Sequence, residues 1–225
     1  MANFRTHISF GIALGILGVI GMITATVTNA PSLVIAIFVA ATLGSILPDM
    51  DSDSSVPFHI TFGSFSIVAA VLTFFSIYKN VPRNWIILIV GTLGAGLLVW
   101  GAIGTVFKKF TRHRGMAHSI PAAILAGLIT FFVASHFYFD DGQAFLLGLG
   151  MTGGYLIHLI LDEVYAALNF HGTPFIPNKA LGSALKLKSS NSLINLAMTG
   201  AILFLLAGNI KRLWGLAQTF WHTIS

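Results

Sequence analysis

The chain has 225 residues, of which 56% are hydrophobic and only 8% charged, and its mean hydropathy is +0.87. A soluble domain carries about 25% charged residues, so soluble globular, disordered, coiled-coil and nucleic-acid-binding classes are excluded together. Twelve Lys and Arg against seven Asp and Glu give a net charge of +5, and the absence of cysteine leaves His and carboxylates as the metal-ligating side chains.

A helix crosses a bilayer core of about 30 Å with about 20 apolar residues. Seven segments qualify in chain order: 8–28, 32–47, 60–78, 84–107, 117–137, 143–168 and 192–210. Arg5 followed by an apolar run resembles a signal peptide, but that run exceeds the usual 7–15 residues, so the first helix is expected to stay. Asn29, Ala30 and Pro31 make a tight hairpin to the second segment, which is short and stops at Pro48. Glycines from Gly91 to Gly104 and from Gly148 to Gly154 favour close helix approach. The expected fold is an all-α polytopic bundle forming one domain over 1–210. The tail, 211–225, carries Trp214 and Trp221 and reads as an amphipathic interfacial helix.

Alternate loops then fall on opposite sides. Eight of the cations lie on the side of the N-terminus and four on the other, so the positive-inside rule predicts a cytoplasmic N-terminus. No feature of the sequence reports the oligomeric state.

Ionisable groups within or beside membrane spans are costly and by default mark function. Thr6-His7 opens the first span; a surface or capping histidine is the alternative. Asp49, Asp51 and Asp53 in LPDMDSDSS form either a turn-and-cap cluster or a carboxylate set for cations. The run lacks the glycine and glutamate of an EF-hand loop, which excludes a calcium loop. Arg112, His113, Arg114 and His118 enter the fifth span and suit either a metal with an anion or lipid headgroups. His118 is expected in the first turn of that helix, with His113 in the loop before it. His158 and Asp162 stand at i and i+4, about one turn apart on one face, as metal partners or as a buried hydrogen-bonded pair. All of these motifs fall on the cation-rich side of the predicted topology. Their convergence predicts one His/Asp metal site near that boundary; His59, His136, His171 and His222 have no local ligand pattern.

Four pieces in order, TH at 6–7, GSILPDMDSDSS at 44–55, HRGMAHS at 113–119 and GYLIHLILDE at 154–163, resemble the membrane-bound metal-dependent hydrolases, the YdjM-like, LexA-regulated inner-membrane family. KALGSALK at 179–186 is similar to a branch of that family. The family in turn resembles zinc-dependent phospholipase C, whose members are soluble. That resemblance implies His7, Asp49, His113, His118, His158 and Asp162 as metal ligands, with Asp51 a ligand or a group bonded to one. It implies Zn²⁺, or else Mn²⁺, as cofactor and hydrolysis of a phosphoester. Arg112 and Arg114 would then stabilise developing negative charge, and Asp51 or Glu163 would act as general base. Lys179, Lys186 and Lys188 would attract an anionic headgroup, making a phospholipid or isoprenoid phosphate at the cytoplasmic face of the inner membrane the expected substrate. Two rivals use the same ligands: a divalent metal-ion transporter and a non-catalytic, metal-stabilised scaffold.

Overall fold

The apolar runs fold as helices, and no named strand occurs among the described residues of the computed structural model, which are 3–24, 30–51, 55–81, 84–105, 118–167, 185–188 and 191–224. Seven α-helices follow in order: α1 Phe4–Thr24, α2 Pro31–Gly44, α3 Ser55–Asn80, α4 Trp85–Leu97, α5 Ile120–Phe137, α6 Asp141–Ala167 and α7 Ser192–Ile224. A π-helical turn, Leu98–Ile103, extends α4. Six of these runs are long and apolar enough to cross a membrane, and α2 is the exception. Its 14 residues span only about 21 Å. A 3-10 turn, Leu47–Asp51, follows it after two turn residues.

The chain divides into two compact units, Met1–Pro48 with Gly115–Ser225, and Asp49–Arg114. In the first, α6 is the hub: half of its membrane-length window is buried, against 17% for α1 and 22% for α5. Leu33, Ile37 and Ala40 of α2 meet Leu147 and Met151 of α6, while Ala122 and Ala123 of α5 meet Tyr155 and Leu159. Lipid gives apolar faces no reason to leave it, so helix association rests on close packing of small residues. A Cβ on Gly44 would strike the Met151 carbonyl, and one on Gly154 would strike the Ala41 carbonyl. Gly127 and Gly148 bring α5 and α6 together likewise, each leaving 2.9 Å between the position of a Cβ and the other's carbonyl oxygen. On α1 the buried positions are His7, Gly11 and Gly15, a stripe at four-residue spacing that packs on α2 and ends at the histidine. Large side chains such as Leu17, Ile35 and Phe204 face outward, as in a protein whose solvent is lipid.

The last helix runs unbroken past Ile210, so 211–224 continue α7 rather than forming a separate interfacial helix. Arg212 fixes this extension: its Nη1 donates to Ser135 Oγ at 2.6 Å and lies 3.6 Å from Asp141 Oδ1. In the second unit α3 and α4 form an antiparallel pair. Gly91 packs on Ile77 at one end, Ser66 Oγ donates to the Gly96 carbonyl at 2.6 Å, and Gly63 faces Trp100 at the other end.

Candidate metal centre

Three segments of the first unit bring four polar side chains to one place. His7 is the fourth residue of α1, whose start is capped by Asn3: its Oδ1 accepts the Thr6 N–H at 2.8 Å. His158 and Asp162 lie one turn apart near the C-terminal end of α6. His118 stands just before α5. Ser119 is the cap of that helix, with extended backbone at φ −151° and ψ 151°, and its side chain accepts the Ala122 N–H. The expected placement of His118 in the first helical turn is thus corrected by two residues, because the Ser119 cap and Pro121 set the start at Ile120. The Ile120 N–H donates to the Lys186 carbonyl at 3.0 Å, which ties the loop segment 185–188 to this corner.

The three histidines converge on the Asp162 carboxylate. His7 Nε2 is 3.3 Å from Asp162 Oδ1, while His118 Nε2 and His158 Nε2 are 3.5 Å and 3.7 Å from Oδ2. The rings of His7 and His158 stack with centroids 3.7 Å apart, and His118 meets His158 edge-on. Burial is nearly complete: exposures are 1%, 6%, 0% and 2% for His7, His118, His158 and Asp162. Neither nitrogen of His7 makes a hydrogen bond, and a buried polar group without one is costly.

Two features fit this set to a divalent cation. A charge-assisted N–H···O bond runs about 2.7–2.9 Å, shorter than all three contacts to Asp162. Two ligands each about 2.0–2.1 Å from a tetrahedral zinc stand about 3.3–3.4 Å apart, close to the observed spacing. One atom from each of His7, His158 and Asp162 lies within 4.8 Å of the others, near enough to share an ion. The second feature is the 2.7 Å hydrogen bond between His158 Nδ1 and the Ser45 carbonyl. A carbonyl only accepts, so Nδ1 carries the proton and Nε2 presents its lone pair toward Asp162. A metal-ligating histidine is commonly oriented by such a bond.

Ser45 was not among the candidates drawn from the sequence, since a backbone carbonyl leaves no residue-type signature. Its sequence signal is indirect: the short second span that stops at Pro48. Asp49 is half-buried in the 3-10 turn at the start of the second unit. The backbone of Asp51 belongs to the same turn, but its side chain lies outside the described residues, as do Arg112, His113, Arg114 and Lys179 entirely. Glu163 is half-buried on α6 and leaves that helix about 100° around from Asp162, away from the cluster's face. Lys186 reaches this corner through its carbonyl. His59 stacks on Trp100 in the second unit, and His136 Nδ1 is 2.8 Å from the Phe132 carbonyl one turn back on α5. His171 and the side chain of His222 lie outside the described residues.

No curated protein and no solved structure matches the chain. The YdjM inner membrane protein family model matches residues 1–223. With its apolar helices and a buried His/Asp cluster suited to a metal, this chain belongs to the YdjM inner membrane protein family.

Proposed function

We propose that this protein is a membrane-embedded metal-dependent hydrolase, a phosphoesterase acting on a phospholipid or another lipid phosphate at the cytoplasmic headgroup level. The observation that carries the reading is the buried constellation of His7, His118, His158 and Asp162, with His158 oriented by the Ser45 carbonyl. These four residues would hold the cation, Zn²⁺ by its nitrogen-rich donor set or else Mn²⁺. Once bound, the cation would supply Lewis acidity toward water or a phosphoryl oxygen.

The remaining roles belong to the chain itself. Asp162 offsets positive charge, and the packed helix ends exclude bulk water, which strengthens electrostatic interactions inside. His7 and Asp162 lie three and five residues from the nearest ends of α1 and α6. That is about 5–8 Å inside each helix end, a depth that suits a headgroup rather than an acyl chain. Arg112 and Arg114 would hold the phosphoryl oxygens, with Lys179 and Lys186 in the later loop drawing the anion in. Asp49 would be a further ligand of the cation, as the sequence resemblance implies. Of the two carboxylates expected as general base, Asp51 would take the proton of the attacking water, since Glu163 leaves α6 away from the cluster's face. A transporter would need ligands continuing through the bilayer, but beyond His158, one turn past the midpoint of α6, no His, Asp or Glu occurs on that helix until Asp141 at its other end. That favours hydrolysis over transport.

The test is elemental analysis of detergent-purified wild type and His158→Ala, followed by a screen of lipid phosphoesters. Metal near or above one per chain in wild type and its loss in the variant is the expected result. Wild type that takes up neither zinc nor manganese would overturn the reading, and so would equal metal in wild type, His158→Ala and Asp162→Ala.

A further inference from the structure

A cavity of about 410 Å³ opens in the first unit where α5 and α7 begin, against residues 187 and 188. Ser119, Lys188, Ser192, Asn195, Met198 and Thr199 line it. Ser119 directly follows His118, so the cavity wall begins one residue, about 3.8 Å along the backbone, from the metal cluster. Among the described lining residues Lys188 is the one charged side chain, and none is a carboxylate. Two serines, a threonine and an asparagine add hydroxyl and amide donors. This chemistry selects an anion. The volume is near the low end of small-molecule sites, about 300–1,000 Å³, which suits a phosphate-bearing headgroup.

A second cavity, about 210 Å³, follows the same helices toward the other face. Gly127, Phe131, Phe145 and Leu213 contribute to its wall, and no ionisable side chain is among its described lining residues. On α5 its lining runs from Ile124 to Phe131, about 7–18 Å below the Ser119 cap. It is therefore an apolar compartment beneath a polar one, with Pro121 lining the upper and Ile124 the lower. Its described lining is apolar except for Thr152, whose hydroxyl donates to the Gly148 carbonyl within α6, and such a lining suits hydrocarbon.

We propose that the two cavities form one amphiphile site. The phosphate of an anionic lipid sits on Lys188, Ser192, Asn195 and Thr199, and one hydrocarbon chain descends between α5, α6 and α7. The assignment deepens the lipid-phosphate reading of the neighbouring cluster and rests on it for the orientation of the headgroup. It adds three binding residues, Ser192, Asn195 and Thr199, to the Lys188 already expected to attract an anionic headgroup.

Native mass spectrometry of the full-length protein tests it, with phosphatidic acid, phosphatidylcholine and inorganic phosphate as probes. Wild type should retain phosphatidic acid at least tenfold over phosphatidylcholine. The double variant Lys188→Ala/Asn195→Leu should lose most of that preference, while Lys188→Arg should keep it; circular dichroism confirms that each variant is folded. His158→Ala should retain the lipid, because the cavity residues do not include the cluster. Equal retention of both lipids, or a preference unmoved by the double variant, overturns the site. Binding of inorganic phosphate without retention of phosphatidic acid overturns the amphiphile assignment. Retention of phosphatidic acid by a wild type that binds no metal would support the lipid site and sink the hydrolase reading.

Discussion

Replacing Gly154 by alanine drives a methyl group into the backbone of α2. The new Cβ would collide with the Ala41 carbonyl oxygen, with Ala41 C at 2.8 Å and Cα at 3.1 Å. Backbone cannot swing aside as the tip of a side chain can. The neighbouring Gly153 provides the control, because its Cβ would meet only Leu14 Cδ2 at an ordinary 3.6 Å. Both substitutions gain about 0.8–1.0 kcal/mol of helix propensity, which cancels between them. What remains is the overpacking of α2 against α6, about 1–3 kcal/mol. At roughly 2–4 °C per kcal/mol for a chain of this size, Gly154→Ala should melt about 2–12 °C below Gly153→Ala. The displacement also reaches the cluster, since Ser45 caps α2 and its carbonyl holds His158, one turn beyond Gly154. Loss of such an orienting bond typically lowers metal affinity about 10–100-fold. Thermal unfolding by circular dichroism and a zinc titration, both in detergent, read the two effects. Identical melts for the two variants would refute the close approach of α2 and α6. A lowered melt with zinc affinity unchanged would instead refute the coupling through Ser45.

Ser119→Ala removes the α5 cap and should cost about 0.5–2 kcal/mol; because His118 precedes that cap, zinc affinity should fall with the melt. Pro48→Ala should separate the two readouts. It adds an N–H three residues beyond Ser45 that competes with His158 for the Ser45 carbonyl, so zinc affinity should drop about tenfold with no loss of thermal stability. The cysteine-free chain also permits a direct test of orientation. Asn3→Cys and Asp140→Cys lie on exposed positions near opposite ends of the first unit. In intact cells an impermeant maleimide should label Asp140→Cys and spare Asn3→Cys until the membrane is opened, whereas the reverse pattern would place the cluster on the outer side.

The apolar runs made the helices legible because lipid demands internally satisfied backbone, and a long uninterrupted run has one way to supply it. The convergence of His7, His118, His158 and Asp162 was also legible, through topology rather than spacing. Each was placed at one end of a predicted span, and an alternating chain brings those ends to one side. Side-chain geometry was not legible. Nothing in HRGMAHS tells that Ser119, not Gly115, marks the helix start, so His118 was placed inside a helix it precedes. The junction at Ile210 was not legible either: Trp214 and Trp221 suggest an interfacial segment, and without a strong breaker after Ile210 the helix of α7 continues through it. Tertiary pinning by Arg212 has no local signature at all.

The shortness of α2 connects fold to site. A helix that ends within the membrane leaves its last carbonyls without intrahelical partners, and hydrocarbon provides none. In an uninterrupted helix the Ser45 carbonyl would accept from the residue four ahead, and in a 3-10 turn from the residue three ahead. The latter is Pro48, which has no N–H. Proline thus removes one competitor for that carbonyl at the depth where α6 presents His158, and the imidazole N–H takes it at 2.7 Å. One bond satisfies a helix end and fixes a tautomer. The glycines act on the same problem, because Gly44 and Gly154 let α2 and α6 approach until that carbonyl is within reach. A longer second span would cross the bilayer on its own propensity, yet it would draw the Ser45 carbonyl into its own ladder and leave His158 without the partner that aims it.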